Sequence, residues 1–437
     1  MIDAQNVHGS LSHFQLVDGY PFVLDLQKSH GVYLHDAKSG EDFIDCFTCF
    51  ASWPLGWNHP KMQEPGFAAE IGAVAQQNPA NSDLYTVEMA RFVEAFGTKV
   101  SPEGFDHHFW VSGGSLAVEN AMKTAFDWKA RKLGITDMLA DVNDLSIMHF
   151  KEAFHGRSGY TMSVTNTLPD KVGLFPKFNW PRISNPKLAF DLDGNPTGDC
   201  EAVEQRAYAE MEAAFATGKV AAILIEPMQG EGGDNHFRTE FMQKLRELAD
   251  QNEALLVFDE VQTGFFGSGK PWLWQTHDVR PDIVSFGKKS QVCGIYAGPR
   301  VDEVEDNVFH KSSRINSTWG GNLVDMVRSR RFIEIITEDN LVDNVNERGV
   351  QLVAGLRSIA KAKGGFSNVR GTGSLVAFSC ATPAERDAIL GRLMEQRLLA
   401  LPCGKDSVRF RLPLIATEAE VGLVLEKVEA AVTTANA

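Results

Sequence analysis

Between residues 80 and 330 the chain alternates short apolar runs with longer stretches of helical period. The runs at 108–111, 145–149, 221–225, 254–258 and 283–286 read as buried strands. The stretches between them read as crossover helices. The clearest, at 116–132, carries Val118, Met122, Ala125 and Phe126 on one face. Such alternation predicts an α/β fold with a mostly parallel central sheet. Residues 20–55 instead alternate polar and apolar positions around turns, which predicts a small antiparallel sheet that includes 21–26, 31–36 and 42–45. The Pro-, Asn- and Asp-rich region 166–200 reads as an excursion. After Asn322 the period predicts one long helix, then short strands at 375–379 and 407–411 and a terminal helix from Glu418. That tail predicts a second, smaller α+β lobe.

Composition narrows the class. The chain has 437 residues, too many for one simple core. Its 42 Lys and Arg against 57 Asp and Glu leave a net charge of −15, which argues against nucleic acid or an anionic membrane as partner. No apolar run approaches bilayer length, and the first residues lack the basic and apolar runs of a signal peptide. Six cysteines are few for this length, so free thiols and a cytoplasmic location are expected. Cys46-Phe47-Thr48-Cys49 has metal or redox spacing without a second pair, and His107-His108 reads as packed or surface, so no metal site is expected.

The chemistry concentrates at strand ends. One apolar run exits into Asp259-Glu260-Val261-Gln262-Thr263-Gly264, and the next exits into Gly287-Lys288. A carboxylate and an amine at neighbouring strand ends are what a pyridoxal phosphate enzyme needs, one to hold the ring nitrogen protonated and the other to form a Schiff base. Ser112-Gly113-Gly114-Ser115, between a strand and a helix, suits a phosphate on free N–H groups, and equally suits a tight turn with a Ser cap. Phe154-His155-Gly156-Arg157 follows another strand and offers an aromatic face, an imidazole and a guanidinium that can grip a carboxylate. A further strand ends in Glu226-Pro227 and the glycine-rich Gly230-Glu231-Gly232-Gly233.

Together these motifs resemble the class III aminotransferases of fold type I, which include ornithine, 4-aminobutyrate and lysine 6-aminotransferases. The resemblance spans nearly the whole chain. Asn316-Ser317-Thr318-Trp319-Gly320-Gly321-Asn322, Phe286–Gly294 and 43–52 most resemble the L-lysine 6-aminotransferases. It implies a large pyridoxal 5'-phosphate domain over 61–325. It also implies a small domain built from both chain ends, 1–60 and 326–437. The expected assembly is a homodimer with shared active sites.

Residue by residue, the resemblance implies that Lys288 is the Schiff-base lysine and Asp259 the partner of the pyridinium. Phe154 and Val261 would sandwich the ring, Gln262 would bond its hydroxyl, and Gly114 and Ser115 would donate to the phosphate. Thr318 would reach the phosphate of the neighbouring subunit, and Asn316 would bind substrate. Of the adjacent pair Lys288 and Lys289, the register of the preceding strand favours Lys288, whereas counting back from Gly294 favours Lys289. Arg157 would anchor the α-carboxylate of a lysine donor. Arg409 would take the second carboxylate of 2-oxoglutarate, with Glu231 masking it in the first half-reaction. The chain reads Arg411-Leu412-Pro413 where relatives carry two prolines. The expected reaction moves the ε-amino group of L-lysine to 2-oxoglutarate, giving 2-aminoadipate 6-semialdehyde and L-glutamate. Ornithine or 4-aminobutyrate, then an ω-amino acid:pyruvate pairing, are the runner-up readings. A non-catalytic, cofactor-bound relative is the alternative of a different kind.

Overall fold

The computed structural model describes residues 2–433. The first strands are β1 (Tyr33–His35) and β2 (Asp42–Asp45). They are followed by β3 (His107–Val111), β4 (Ser146–Phe150), β5 (Arg182–Ile183), β6 (Ala189–Phe190) and β7 (Pro196–Thr197). Then come β8 (Val220–Ile225), β9 (Leu255–Asp259), β10 (Ile283–Phe286) and β11 (Cys293–Ala297). The last are β12 (Ser367–Thr372), β13 (Leu375–Ser379), β14 (Leu398–Leu399), β15 (Leu401–Cys403) and β16 (Ser407–Arg411).

The central sheet has the order β3-β11-β10-β9-β8-β4-β5. From β10 through β9, β8 and β4 to β5 every pairing is parallel, and β11 alone runs antiparallel to both its neighbours. Sequence reading missed β11. The short 287–292 connection leaves no room for a crossover, so the strand after it must return antiparallel. Both sheet faces are buried. Leu256, Phe258, Val284 and Phe286 point into one core, and Leu255, Val257 and Ile283 into the other, as the two-residue period of a strand demands. Helix Gly114–Lys132 covers β8, β10 and β11, and helix Thr239–Gln251 packs on β8 and β9.

A second sheet, β12-β13-β16-β15, is antiparallel, and β14 runs parallel to β2, so residues near both chain ends meet in one layer. Two expectations are corrected here. Segment 21–26 forms no strand and keeps a single bridge, Leu24 to Asp36. The Asp36 carboxylate accepts from Val23 N–H at 2.8 Å and Lys38 N–H at 2.9 Å, so side-chain bonds hold the segment beside two backbone ones. The stretch after Asn322 is two helices, Leu323–Glu338 and Leu341–Lys363. Asn340 breaks them in a left-handed conformation (φ 52°), which Asn tolerates better than most residues.

A buried ion pair holds the two sheets together. Arg411 of β16 donates to both carboxylate oxygens of Asp234, at 2.5 and 2.7 Å, and to Gln262 Oε1 at 2.7 Å. Removing one partner strands a charge in the interior. Asp234→Ala is therefore expected to cost about 3–5 kcal/mol, read as a lower urea midpoint with an unchanged slope.

Candidate active site

The site grows from the carboxyl ends of adjacent parallel strands. In the β9–β10 register Ser285 faces Asp259, so Lys288 leaves the sheet three residues beyond Asp259's neighbour. Glu260 N–H donates to Ser285 O at 2.9 Å and ties the two exits together. Lys288 itself has φ 53°, a left-handed backbone that costs a bulky residue about 1–3 kcal/mol. Gln291 holds that turn. Its N–H donates to Lys288 O at 2.8 Å and its amide bridges Lys288 O and Ser52 O.

A cavity of about 280 Å³ opens at these strand ends. Lys288, Asp259, Val261, Gln262, Phe154, Gly114, Ser115, Arg157 and Glu231 all line it, with His155, Gly156 and Glu226. The amine and the carboxylate thus face one space. Gly114 opens the helix Gly114–Lys132 against Val261, where a Cβ would sit 2.7 Å from Val261 Cγ1, so no other residue fits without displacing that wall. The helix start leaves free N–H groups and a positive dipole end at the cavity. Arg157 is exposed and makes no ion pair among the described residues. Arg409 does not line this cavity but stands behind it. It is 2% exposed and donates to Glu231 Oε2 at 2.6 Å and to Gln262 Oε1 at 3.3 Å. With Leu412 in place of a second proline, β16 still keeps regular pairing with β13 through Arg411.

Two predicted residues lie elsewhere. Asn316 and Thr318 are exposed and do not line the Lys288 cavity. Their segment rests on Asn81 and Ser82, with Asn81 N–H donating to Trp319 O at 3.2 Å and Ser82 Oγ to Thr318 O at 3.3 Å.

The adjacent lysines are separated by their surroundings. Lys289 points away from the cavity, and its ammonium donates to the carbonyls of Gln262 and Gly264. Burial, then Arg411 and Lys288, pushes its pKa well below the ordinary range. Lys288 faces the cavity, and burial, with Arg409 and Arg411 beside it, lowers its pKa to about 8. A neutral amine is the reactive form, and this environment favours it.

The sequence motifs contain His155 and Glu226 without giving either a role, and the fold supplies one for each. His155 Nδ1 lies 2.8 Å from Asp259 Oδ2 in a buried pair, and its Nε2 has no hydrogen-bond partner among the described residues. Glu226 accepts from Phe154 N–H and Gly230 N–H at 2.9 and 3.0 Å. Burial, with Asp259 nearby, raises its pKa to about 7. The signal for His155 was its place between Phe154 and Arg157, but only the fold shows that it reaches Asp259.

This sheet, with an amine and a carboxylate at its strand ends, is the fold-type I architecture of pyridoxal phosphate transferases. The aminotransferase class-III family profile matches residues 15–432, and the chain belongs to that family. An L-lysine-epsilon aminotransferase of Amycolatopsis lactamdurans is 47% identical over 433 residues, 98% of this chain and 96% of its own length. One from Streptomyces clavuligerus is 45% identical over 438 residues, 99% of this chain and 95% of its own length. Among solved structures, a lysine aminotransferase from M. tuberculosis in the internal aldimine form superposes with a TM-score of 0.94. That pair is 46% identical, covering 99% of this chain and 100% of the other.

The family uses pyridoxal phosphate, and the cavity suits it. It offers an amine for an aldehyde, a buried carboxylate for a ring nitrogen, apolar walls, and a helix start for a phosphate.

The lowered pKa of Lys288 has a measurable sign. In the cofactor-free protein the unfolded chain binds its proton more tightly than the folded one. Stability is therefore reduced below pH 8, and the penalty fades as pH rises from about 8 to the ordinary lysine value. Lys288→Met without cofactor is expected to exceed the cofactor-free wild type by on the order of 3 kcal/mol at pH 7. Denaturant melts should show the gap closing toward pH 10.5, the ordinary lysine value.

Proposed function

We propose that this protein transfers the ε-amino group of L-lysine to 2-oxoglutarate, giving 2-aminoadipate 6-semialdehyde and L-glutamate. The observation that carries the reading is the Arg409–Glu231 pair behind the Lys288 cavity, together with Arg157, a cation without an ion pair among the described residues, on the cavity wall. Lysine has one carboxylate and a distal amine, and needs one cation. 2-Oxoglutarate has two carboxylates and needs a second cation, which Glu231 can mask or release. An enzyme passing amines to pyruvate would have no use for that second arginine. The names of the relatives support the donor.

Bound in this cavity, pyridoxal phosphate supplies an electrophilic aldehyde carbon and a ring that accepts electrons. The chain's residues do the rest. Asp259, oriented by His155, holds a proton at the ring nitrogen. Phe154 and Val261 wall the ring, and Gly114 and Ser115 meet the phosphate. Gln262 already gives its Oε1 to Arg411 and Arg409, so its amide nitrogen is the group left to meet the ring hydroxyl. Lys288, whose amine is neutral in part near pH 8, moves a proton from the ε-carbon of lysine. Arg157 orients the donor by its α-carboxylate, with two parallel hydrogen bonds available.

We further infer a homodimer in which Asn316 and Thr318 serve the partner's site, since both are exposed and do not line their own cavity. Within each subunit, 1–60 and 326–437 act as one small domain against 61–325. No helix among the described residues is long and apolar enough to cross a membrane, and all six cysteines are unpaired, which supports a cytoplasmic enzyme.

Lys288→Ala is expected to abolish turnover, whereas Lys289→Met should retain the visible cofactor band and its bleaching by lysine. The reverse pattern moves the reactive amine to Lys289. Arg157→Ala should raise KM for lysine by roughly ten- to a hundredfold, the worth of a charge-assisted contact. Single-turnover rates with lysine, ornithine, 4-aminobutyrate and β-alanine test the donor. A faster bleach with ornithine or 4-aminobutyrate than with lysine would overturn it.

A further inference from the structure

We propose that Lys171 is a specificity-determining positioning residue that receives Glu231 when Arg409 is freed for the acceptor's second carboxylate. The inference rests on the acceptor being a dicarboxylate oxo acid, as argued above.

Glu231 divides its oxygens between two cations. Oε2 accepts from Arg409 at 2.6 Å, and Oε1 accepts from the ammonium of Lys171. Lys171 sits in the short helix Pro169–Val172, inside the 166–200 excursion, and does not line the Lys288 cavity. Its Nζ stands 5.5 Å from the centroid of the Phe154 ring, so it lies over the cavity's aromatic wall. Glu231 is its one ion-pair partner among the described residues. Burial works against the charge of Glu231, and Arg409 followed by Lys171 outweighs it, holding the carboxyl below its ordinary range.

The charge count gives this arrangement a direction. Arg411 and Asp234 balance each other next door. Glu231, Arg409 and Lys171 together carry one positive charge in excess, the quantity that one added carboxylate neutralises. Were Arg409 the only partner of Glu231, turning it to a substrate would leave an uncompensated carboxylate in a mostly buried place, which is strongly unfavourable. With Lys171 already bound to the other oxygen, Arg409 can leave while Glu231 stays paired. Glu231 lies between Gly230 and Gly232, and Gly404 N–H donates to its carbonyl at 2.8 Å, so the backbone is held while the side chain turns. A lysine donor, whose single carboxylate goes to Arg157, does not ask for this exchange.

The test uses the cofactor-loaded enzyme and follows each half-reaction separately by the cofactor's absorbance. For the second half, the protein is loaded with pyridoxamine phosphate and mixed with 2-oxoglutarate. Lys171→Met is expected to weaken the apparent affinity for 2-oxoglutarate roughly tenfold, the loss of one charge-assisted contact. The lysine half-reaction should change by no more than about twofold, within the scatter of a surface substitution. Lys171→Arg should restore the acceptor half. In a Glu231→Ala background, Lys171→Met should have no further effect on 2-oxoglutarate, because its role runs through Glu231.

Equal losses in both halves, or none in either, would overturn the proposal. So would an undiminished Lys171→Met effect without Glu231, which would mean that Lys171 touches the acceptor itself. A wild-type enzyme inert to lysine but active in the second half would sink the donor assignment alone. The acceptor series would then still decide the role of Lys171.

Discussion

Buried positive charge at the seam between the two sheets is the constraint on which the site depends. Arg409 and Arg411 lie side by side on β16, almost wholly inaccessible, each with a guanidinium in the interior. Each must meet an anion, and the loop after β8 supplies both, Glu231 for one and Asp234 for the other. The same charges add to burial in lowering the pKa of Lys288, since they stand beside an already buried amine. Structural cohesion and chemical reactivity therefore draw on one network.

That network has two kinds of member. Asp234 and Arg411 are equally buried and bound through two parallel hydrogen bonds, an arrangement that leaves little freedom. Glu231 is less enclosed, flanked by glycines and shared between Arg409 and Lys171. The rigid pair fastens the sheets, and the looser trio is where a change of partner can occur. Gln262 connects them, accepting from both arginines while lining the cavity.

Much of this was legible beforehand. The ends of β9 and β10 stood out because an apolar run that stops at Asp259 or Gly287-Lys288 has a strong two-residue logic and little ambiguity. The choice of Lys288 over Lys289 followed from the same register, and the structure turns Lys288 to the cavity and Lys289 to two carbonyls. What escaped was set by contacts far apart in sequence. His155 meets Asp259 across 104 positions, and Lys171 meets Glu231 across 60. No local period encodes such pairs. Strand β11 escaped because a glycine-interrupted run after a turn carries a weak signal. The break at Asn340 escaped because one left-handed residue does not disturb the apolar spacing on either side.

Residue order alone determined the alternating sheet and helices, the acidic surface, and the strand-end carboxylate and amine, because these depend on short-range periodicity and on chemistry carried by single residues. Tertiary structure decided which charges neutralise which. It brought the loop after β8 against β16, set Lys171 over Phe154 and placed Arg157 on the cavity wall, while Asn316 and Thr318 stayed outside it. A buried ion needs its counterion within a few ångströms, and only the folded path of the chain determines which residue arrives there.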